Sequence, residues 1–355
     1  MSLDVMVVFG TRPELLKLAP VVVALRERGL SVNVVATGQH SDLLDATTLQ
    51  RLGPIQTLGV ASDGNVLKFT ANASRALRAR IAGVAPRCVM VQGDTMSAHA
   101  GALAAASFDI PIAHVEAGLR SGDLSDPWPE EGIRVAITRL ATWHYAPTTV
   151  AAMRVATELH GKAQLNTEIL VTGNTSVDAL LATGVKPSPE VGAAVLVTLH
   201  RRELRMRADF RDVLAAFAQA VTLTPAVRAL WPIHPAMSPY LAGLALPHNF
   251  GVCQPLPHAM LVQTLAGVRG VLTDSGGVVE EAATLGVPTA VLRNVTDRPE
   301  AEEAGIAKRF PTTPEGVTLT WNMLCKQEIA RTPTDVFGDG HAALYIARHL
   351  AKMLT

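Results

Sequence analysis

Aromatic residues make up only 4% of this chain, although 48% of its residues are hydrophobic. The core must therefore be built from aliphatic side chains, which is typical of parallel α/β proteins whose buried strands read as continuous aliphatic runs. The three cysteines, Cys88, Cys253 and Cys325, are odd in number and scattered. They predict buried thiols in a reducing compartment and exclude a disulfide or zinc framework.

Net charge and long apolar runs are also lacking. The 31 basic and 31 acidic residues balance and no basic block stands out, so nucleic acid is not an expected partner. No run approaches the roughly 18 apolar residues of a membrane span. The first apolar run, Val5 to Phe9, is too short for a signal peptide and leads directly into Gly10. We therefore expect no membrane span and a cytoplasmic location.

Two nucleotide-binding motifs are missing. No G-x-G-x-x-G follows the first predicted strand, which disfavours a nicotinamide-dependent dehydrogenase. No Walker A motif with its lysine occurs either. We expect neither a cofactor nor a metal ion.

What the chain does contain is a regular alternation of predicted strands and helices, which is typical of a doubly wound α/β sheet. Its 355 residues exceed what one core usually organises, so we expect two domains. Residues 184–192 have linker composition, and the alternation restarts at Ala194. Residues 53–64 are expected to be loop. The predicted domains are residues 1–172, residues 173–337 and a closing segment, residues 338–355, that carries an amphipathic helix.

In the first half, charged residues follow several predicted strands. Asp94, Glu116 and Glu130 lie at strand ends or on the adjoining loops, and Arg12 and Lys17 follow the first strand. Open α/β sheets bind ligands at this edge. Carboxylates brought close together raise one another's pKa, which provides a proton acceptor near neutral pH. Each carboxylate alone could equally be a helix cap or half of a salt bridge.

In the second half, the groups that follow strands suit phosphate. His200, Arg201 and Arg202 follow one predicted strand, and the segment T-D-S-G-G-V-V-E-E (273–281) follows another. A strand that breaks into two glycines before a helix presents backbone N–H groups to an anion. Ser275, Gly276 and Gly277 could cradle a phosphate while Glu280 or Glu281 takes sugar hydroxyls. The segment could instead be a tight turn capped by Ser275. Carboxylates are thus concentrated in the first half and phosphate-binding groups in the second. This division predicts a nucleoside diphosphate held by the second domain, with its sugar offered to the first across a cleft.

These motifs resemble the bacterial UDP-N-acetylglucosamine 2-epimerases. The matching segments, in family order, are G-T-R-P-E-L-L-K (10–17), G-D-T (93–95), H-V-E-A-G-L-R (114–120), P-E-E (129–131) with Arg134, T-G-N-T (172–175), H-R-R-E (200–203), D-S-G-G-x-x-E-E (274–281), T-D-R-P-E (296–300) and G-D-G (338–340). They cover nearly the whole chain. The resemblance implies a glycosyltransferase-B-like fold of two Rossmann-like domains, with the C-terminal helix crossing back to the first. It also implies a homodimer.

The resemblance further implies a two-step reaction on UDP-N-acetylglucosamine. UDP is eliminated across C1 and C2 to give a 2-acetamidoglucal, and it re-adds with C2 protonated on the opposite face to give UDP-N-acetylmannosamine. The implied catalytic residues are Arg12, Lys17, Asp94, Glu116, Glu130 and His200. The implied substrate-binding residues are Arg134, His234, His258, Ser275, Gly276, Gly277, Glu281 and Arg298. His258 stands where the family usually has a phenylalanine near the uracil.

The sequence departs from the family where non-hydrolysing members bind a second UDP-N-acetylglucosamine as activator. The segment Q-H-S-D-L-L-D (39–45) lacks the family's arginine, and Gly64 replaces another arginine. These departures put effector activation in question and leave open a hydrolysing epimerase that releases N-acetylmannosamine. The chain could also be a UDP-sugar glycosyltransferase on the same fold, or a protein that binds a sugar nucleotide and has lost activity.

Overall fold

The computed structural model describes residues 3–39, 52–161, 166–188, 192–326 and 331–355. The chain divides into two compact units. Unit 1 comprises Met1–Ala179 and Gly338–Thr355, and unit 2 comprises Leu180–Phe337. The predicted first domain ended at residue 172, so unit 1 extends slightly further along the chain and also includes the C-terminal segment.

Unit 1 contains a seven-stranded sheet in the order β3-β2-β1-β4-β5-β6-β7, and every strand pair in it is parallel. Its strands are β1 (Val5–Phe9), β2 (Val32–Ala36), β3 (Ile55–Thr57), β4 (Cys88–Gln92), β5 (Ile112–Val115), β6 (Trp143–Ala146) and β7 (Glu168–Val171). Its helices are α1 (Arg12–Glu27), α2 (Val66–Val84), α3 (Met96–Ala106), α4 (Glu130–Leu140), α5 (Thr149–Leu159), α6 (Thr175–Leu181), whose last two residues belong to unit 2, and, from the end of the chain, α14 (Ala342–Met353).

Both faces of the central strands β1 and β4 are buried, which is why these strands are almost entirely apolar. Successive side chains of β1 point to opposite faces. Val5, Val7 and Phe9 join one core with residues of α1 and α14, while Met6 and Val8 join a second core with residues of α2, α3 and α4. The sheet is thereby covered by helices on both sides.

The C-terminal helix α14 is attached to unit 1 by polar contacts as well as by packing. Asp178 on α6 accepts hydrogen bonds from the backbone N–H groups of Ala342 and Ala343, at 3.2 and 2.8 Å. The hydroxyl of Tyr145 is hydrogen-bonded to Nδ1 of His349 at 2.9 Å. These contacts anchor both the first turn and the second half of α14 to the rest of unit 1.

Unit 2 contains a six-stranded parallel sheet in the order β10-β9-β8-β11-β12-β13. Its strands are β8 (Ala194–Thr198), β9 (Arg228–Pro232), β10 (Phe250–Cys253), β11 (Gly270–Thr273), β12 (Thr289–Leu292) and β13 (Ala307–Phe310). Its helices are α7 (Arg202–Arg205), α8 (Phe210–Thr222), α9 (Ser238–Leu241), α10 (His258–Gly267), α11 (Gly276–Leu285), α12 (Pro299–Glu303) and α13 (Pro314–Lys326). Separate buried clusters line the two faces of the sheet.

The predicted fold class, two doubly wound Rossmann-like domains, is confirmed by these two parallel sheets. The prediction that residues 53–64 are loop was wrong for Ile55–Thr57, which form an edge strand beside β2. Three residues with no apolar run give no strand signal, and the pairing with β2 determines the conformation. The prediction of buried cysteines holds for Cys88, whereas Cys253 and Cys325 are half-buried; all three are free thiols. Among the described residues, no helix combines the length and apolar character needed to cross a bilayer.

Candidate active site

Each sheet has one point at which the strand order reverses. In unit 1 the strands β1 and β4 are neighbours, but the chain continues from β1 to β2 on one side and from β4 to β5 on the other. In unit 2 the neighbours β8 and β11 likewise lead to β9 on one side and to β12 on the other. Ligands of open α/β sheets bind at such points, beyond the carboxyl ends of the strands. Arg12 and Asp94 follow β1 and β4, while His200 and Ser275 follow β8 and β11. The fold therefore concentrates the predicted residues at one edge of each sheet.

The loop between β1 and α1 is organised around the buried carboxyl of Glu14, which is 2% exposed. Its Oε2 accepts hydrogen bonds from the backbone N–H groups of Gly10 (3.0 Å) and Thr11 (2.8 Å), and Thr11 caps α1 in a capping box. Its Oε1 accepts from the hydroxyl of Thr95 at 2.7 Å. Burial raises the pKa of the Glu14 carboxyl to about 7, although these hydrogen bonds lower it. Glu14 thus joins the loop that carries Arg12 to the turn that carries Asp94.

Asp94 lies in the turn after β4 and is paired with Arg134. The Nε and Nη2 atoms of Arg134 lie 2.8 and 2.6 Å from Oδ2 of Asp94. Arg134 is itself buried and also contacts Oε2 of Glu131 at 3.2 Å through Nη1. Glu131 accepts the backbone N–H groups of Ser121 and Gly122. Arg134 was predicted to bind substrate, but the structure shows it forming an ion pair with Asp94. This ion pair holds Oδ2 of Asp94 in a defined position.

Glu116 follows β5 and forms an ion pair with Lys17 of α1 through its Oε2 atom. The same oxygen accepts a hydrogen bond from Nδ2 of Asn174 at 3.1 Å. Glu116 is buried and adopts a left-handed backbone conformation with φ of 67°, which is uncommon for a residue other than glycine. The structure thus brings together Lys17 and Glu116, two of the predicted catalytic residues.

His114 of β5 supports the turn that carries Asp94. Its Nε2 lies 2.8 Å from the carbonyl oxygen of Gly93 and donates to it. Burial, with a smaller contribution from the neighbouring His144, lowers the pKa of His114 to about 3. Since His144 is the partner of His114 across β5 and β6, two buried neutral imidazoles lie side by side beneath this turn.

The remaining predicted residues of unit 1 lie at helix N-termini. Glu130 is the first residue of α4 and is half-buried, and Arg12 is the first residue of α1 and is half-exposed. Gln39, which begins the segment that corresponds to the family's effector site, accepts a hydrogen bond from the Ser97 hydroxyl at 2.7 Å. The rest of that segment, residues 40–45, lies outside the described residues.

In unit 2 the loop after β8 is held by Asp274, a buried residue that local sequence patterns did not single out. Its Oδ2 accepts the backbone N–H groups of His200 and Arg201, both at 2.8 Å. Nδ1 of His200 lies 3.3 Å from Oδ1 of the same carboxylate. The rings of His200 and His234 lie 6.4 Å apart, and both residues are exposed. The structure therefore brings these two predicted histidines together, with His200 on the loop that Asp274 holds and His234 on the loop after β9.

The glycine segment after β11 begins helix α11, a ten-residue helix whose N-cap is Ser275. The hydroxyl of Ser275 forms no capping hydrogen bond, so a serine-capped turn does not describe this helix end. The first N–H groups of a helix have no partner within the helix and favour anions. The glycine segment therefore forms a helix N-terminus with backbone N–H groups that suit a phosphate, at the reversal point of the second sheet.

Arg298 and Glu280 lie beneath this segment. The guanidinium of Arg298 is buried and bonds Oε1 of Glu280 at 2.7 Å and Oδ2 of Asp297 at 2.8 Å. The suggestion that Glu280 is available for sugar hydroxyls was wrong, because Glu280 is fully buried in this ion pair. Oε1 of Glu281, the second candidate, lies 2.7 Å from Nε2 of His258, which pairs two of the predicted residues.

Two residues of the site could not be recognised from sequence alone. Asp274 holds a backbone loop and Asn174 holds a carboxylate, and both partners are distant along the chain, so nothing local distinguishes these residues. The only signal was their presence inside the motifs D-S-G-G and T-G-N-T. Within the described residues, no group of three His, Cys, Asp or Glu side chains is arranged to hold a metal ion.

Comparison with known proteins shows what this arrangement belongs to. The family model described as UDP-N-acetylglucosamine 2-epimerase matches residues 23–351. The UDP-N-acetylglucosamine 2-epimerase of Escherichia coli (strain K12) is 33% identical over 374 residues, which cover 98% of each chain. The chain belongs to the UDP-N-acetylglucosamine 2-epimerase family. The predicted resemblance and the prediction of an isomerase of this family are thereby confirmed.

Solved structures of the UDP-N-acetylglucosamine 2-epimerase family agree with this assignment. The co-structure of S. aureus MnaA with UDP is similar with a TM-score of 0.89 and 32% identity, covering 100% of this chain and 97% of that one. The UDP-N-acetylglucosamine 2-epimerase from Neisseria meningitidis bound to UDP-GlcNAc has a TM-score of 0.87 and 28% identity, covering 98% of this chain and 100% of that one.

Proposed function

We propose that this chain interconverts UDP-N-acetylglucosamine and UDP-N-acetylmannosamine by elimination and re-addition of UDP. In the first step the C2–H bond and the C1–O bond break. The proton passes to a carboxylate, the C1–O electron pair leaves with UDP, and a C1–C2 double bond forms. In the second step C2 is protonated on the opposite face and UDP bonds to C1 again. No oxidation occurs, so the reaction requires no nicotinamide.

The observation that carries this proposal is the set of charge-paired carboxylates at the reversal point of the unit 1 sheet. Asp94 is paired with Arg134, and Glu116 with Lys17. Inversion at C2 requires one group to remove a proton and another to return it, and positioned carboxylates perform both tasks. Asp94, Glu116 and Glu130 are the proposed acid/base residues. Arg12 and Lys17 offset the negative charge that develops on the departing UDP.

Unit 2 supplies the proposed nucleotide site. The N-terminus of α11, with Ser275, Gly276 and Gly277, suits the β-phosphate because its N–H groups and the helix dipole favour an anion. Glu281 is proposed to bind the ribose hydroxyls beside His258. His200, held next to His234 by Asp274, is proposed to assist departure of the phosphate. Arg298 is proposed to support the phosphate site from beneath Gly276 rather than through direct contact.

Solvent exchange at C2 tests the mechanism. The protein is incubated with UDP-N-acetylglucosamine in deuterated water, and the products are followed by NMR. We expect deuterium at C2 of the sugar nucleotide together with UDP-N-acetylmannosamine. Formation of UDP and free N-acetylmannosamine would favour the hydrolysing epimerase. Transfer of the sugar to an acceptor without exchange at C2 would favour a glycosyltransferase. A protein that binds UDP but catalyses neither exchange nor turnover would contradict the proposal.

The effector, the oligomer and the compartment are further parts of the proposal. Because Gly64 and Ser41 stand where the family has arginines, we propose that the rate depends only weakly on a second UDP-N-acetylglucosamine. A rate that rises sigmoidally with substrate concentration would contradict this. We also propose a homodimer, as the resemblance implies, and a cytoplasmic location. Sedimentation velocity tests the dimer, and fractionation of the source cells tests the compartment.

A further inference from the structure

Asn174 occupies an unusual position at the end of unit 1. It precedes α6, the helix through which the chain passes from unit 1 into unit 2, and it is 1% exposed. Its Nδ2 donates to Oε2 of Glu116 at 3.1 Å. Its Oδ1 accepts the backbone N–H of Ser176 at 3.0 Å. Both contacts are buried, so each is sheltered from competition by water.

The chemistry of the two contacts decides which way the Asn174 amide points. The N–H of Ser176 can only donate, and an ionised Glu116 carboxylate can only accept. A reversed amide would place two donors together at Ser176 and two acceptors together at Glu116. Asn174 therefore donates to Glu116, and its carbonyl oxygen is fixed by the first turn of α6.

The consequence for Glu116 is that its two oxygens are differentiated. Lys17 and Asn174 both hold Oε2. Oε1 lies on the side of Gly93, where a Cβ built on that glycine would be 3.8 Å from it. Gly93 directly precedes Asp94. Two donors on one oxygen therefore turn the other oxygen of Glu116 toward the turn that carries the second carboxylate.

We propose that Asn174 is a positioning residue that orients Glu116 for proton transfer at the sugar. This inference rests on the proposed function, in which Glu116 is one of the acid/base groups. Asn174 has two tasks that can be separated. Its amide nitrogen orients the carboxylate, and its carbonyl oxygen begins α6. The first task affects the chemistry, and the second affects the fold.

Gly338 provides a second way to disturb Asn174. Its backbone has φ of 112°, and a Cβ built on it would lie 2.7 Å from Cα of Gly173 and 3.4 Å from the backbone nitrogen of Asn174. Since the first distance is shorter than real Cβ contacts, an alanine at residue 338 must push the Gly173–Asn174 backbone away. A substitution at the far end of the chain is thereby expected to move a donor of Glu116.

The variant Asn174→Asp separates the two tasks. Its carboxyl still accepts from Ser176, so α6 keeps its first turn, but an acceptor replaces the donor that faced Glu116. We expect kcat to fall about tenfold to a hundredfold at neutral pH, the range for losing one hydrogen bond to a charged group. The charged group that shares Oε2 of Glu116 with Asn174 is Lys17. The kcat of Asn174→Asp, divided by that of the wild-type protein, should rise as the pH is lowered from about 8 to about 5. At low pH the introduced carboxyl takes up a proton and can again donate to Glu116.

Asn174→Ala and Gly338→Ala complete the set, and Gly29→Ala is the matched control. Gly29 also has a positive φ, of 80°, but no atom lies within 4 Å of a Cβ built there. Asn174→Ala should lower kcat with little change in UDP affinity and should move the acid limb of the kcat profile to higher pH. Gly338→Ala should lower kcat similarly. Gly29→Ala should lower the melting temperature only.

The outcomes distinguish this inference from the proposed function. If the unchanged protein fails to exchange hydrogen at C2, the proposed function is overturned whatever the variants do. If it exchanges C2 hydrogen normally and Asn174→Asp keeps the unchanged kcat and pH profile, the positioning role of Asn174 is overturned. A drop in melting temperature without a change in kcat would show that Asn174 serves only to begin α6, and would also overturn it.

Discussion

The guanidinium of Arg298 fills the space that a side chain at Gly276 would need. A Cβ built on Gly276 would lie 2.2 Å from Cζ of Arg298, whereas no atom lies within 4 Å of a Cβ built on Gly277. Arg298 cannot move aside freely, because it is buried between Glu280 and Asp297. The two glycines of one segment are therefore required for different reasons, and they can be tested separately.

Gly276→Ala and Gly277→Ala should differ in their effect on stability. The first forces Arg298 out of its ion pairs, so we expect a loss of about 1–3 kcal/mol in the free energy of unfolding together with weaker UDP binding. The second has room for its methyl group, so stability should be unchanged or slightly higher. If a phosphate approaches the backbone at this point, Gly277→Ala should still weaken UDP binding. Urea unfolding and isothermal titration calorimetry measure both quantities. Unchanged UDP affinity in Gly277→Ala would exclude a phosphate there.

Asp94→Asn should abolish C2 exchange while leaving UDP affinity nearly unchanged. The amide oxygen can still accept from Arg134, so the turn after β4 should persist, but the side chain can no longer take a proton. Loss of a general base costs roughly 100-fold to 10,000-fold in rate. NMR exchange in deuterated water and calorimetric titration with UDP check the two expectations. Loss of UDP binding would mean that Asp94 has a structural role.

The buried histidines should make the protein less stable in acid. The pKa of His114 is lowered from 6.5 to about 3 and that of His144 from 6.5 to about 4, mainly because burial disfavours the charged form. Below about pH 6.5 the unfolded chain binds protons that the folded chain does not, so stability falls as pH falls. Each histidine should cost about 2 kcal/mol at about pH 5.

His114→Gln tests this expectation. A glutamine can retain the donor to the carbonyl of Gly93 but does not titrate. The unfolding free energy should therefore change less between about pH 7.5 and about pH 5 in the variant than in the unchanged protein. Urea titration at each pH measures this difference. An equal pH dependence in both proteins would mean that His114 does not remain neutral in the folded state.

Glu14 should produce a trend of the opposite sign. Its pKa is raised from 4.5 to about 7, so between these values the folded protein binds a proton that the unfolded chain has lost. Stability therefore falls as pH rises through this window, by about 3 kcal/mol at most. Glu14→Gln removes the titrating group while its amide can still bridge Thr11 and Thr95. We expect urea unfolding of the variant to lack this loss. A variant that is destabilised equally at both ends of the window would refute the assignment.

The sequence predicts those parts of the fold that a local pattern determines. Strands β1, β4, β8 and β11 are aliphatic runs that end in glycine or in polar and charged residues. The apolar runs predict the strands, and the residues that follow them predict the site at their carboxyl ends. β3 could not be predicted, because its three residues become a strand only through pairing with β2. β13 gives no strand signal either, because Lys308 and Arg309 interrupt its apolar pattern.

The site shows the same division. That Asp94, Glu116 and Lys17 lie at one sheet edge follows from their positions after strands. That Arg134 pairs with Asp94, and that Arg298 lies buried beneath Gly276, depends on which side chains meet once the sheet has formed. Long-range contacts of this kind have no local signature in the chain. Whether the predicted substrate-binding residues contact UDP stays a prediction.

The attachment of α14 to unit 1 has a consequence for biosynthesis. The core of unit 1 includes Ala343, Ile346, Ala347, Leu350 and Leu354, all encoded after the whole of unit 2. During translation unit 2 has all of its residues before unit 1 does. Unit 1 therefore cannot complete its hydrophobic core until its C-terminal helix has been synthesised and has left the ribosome.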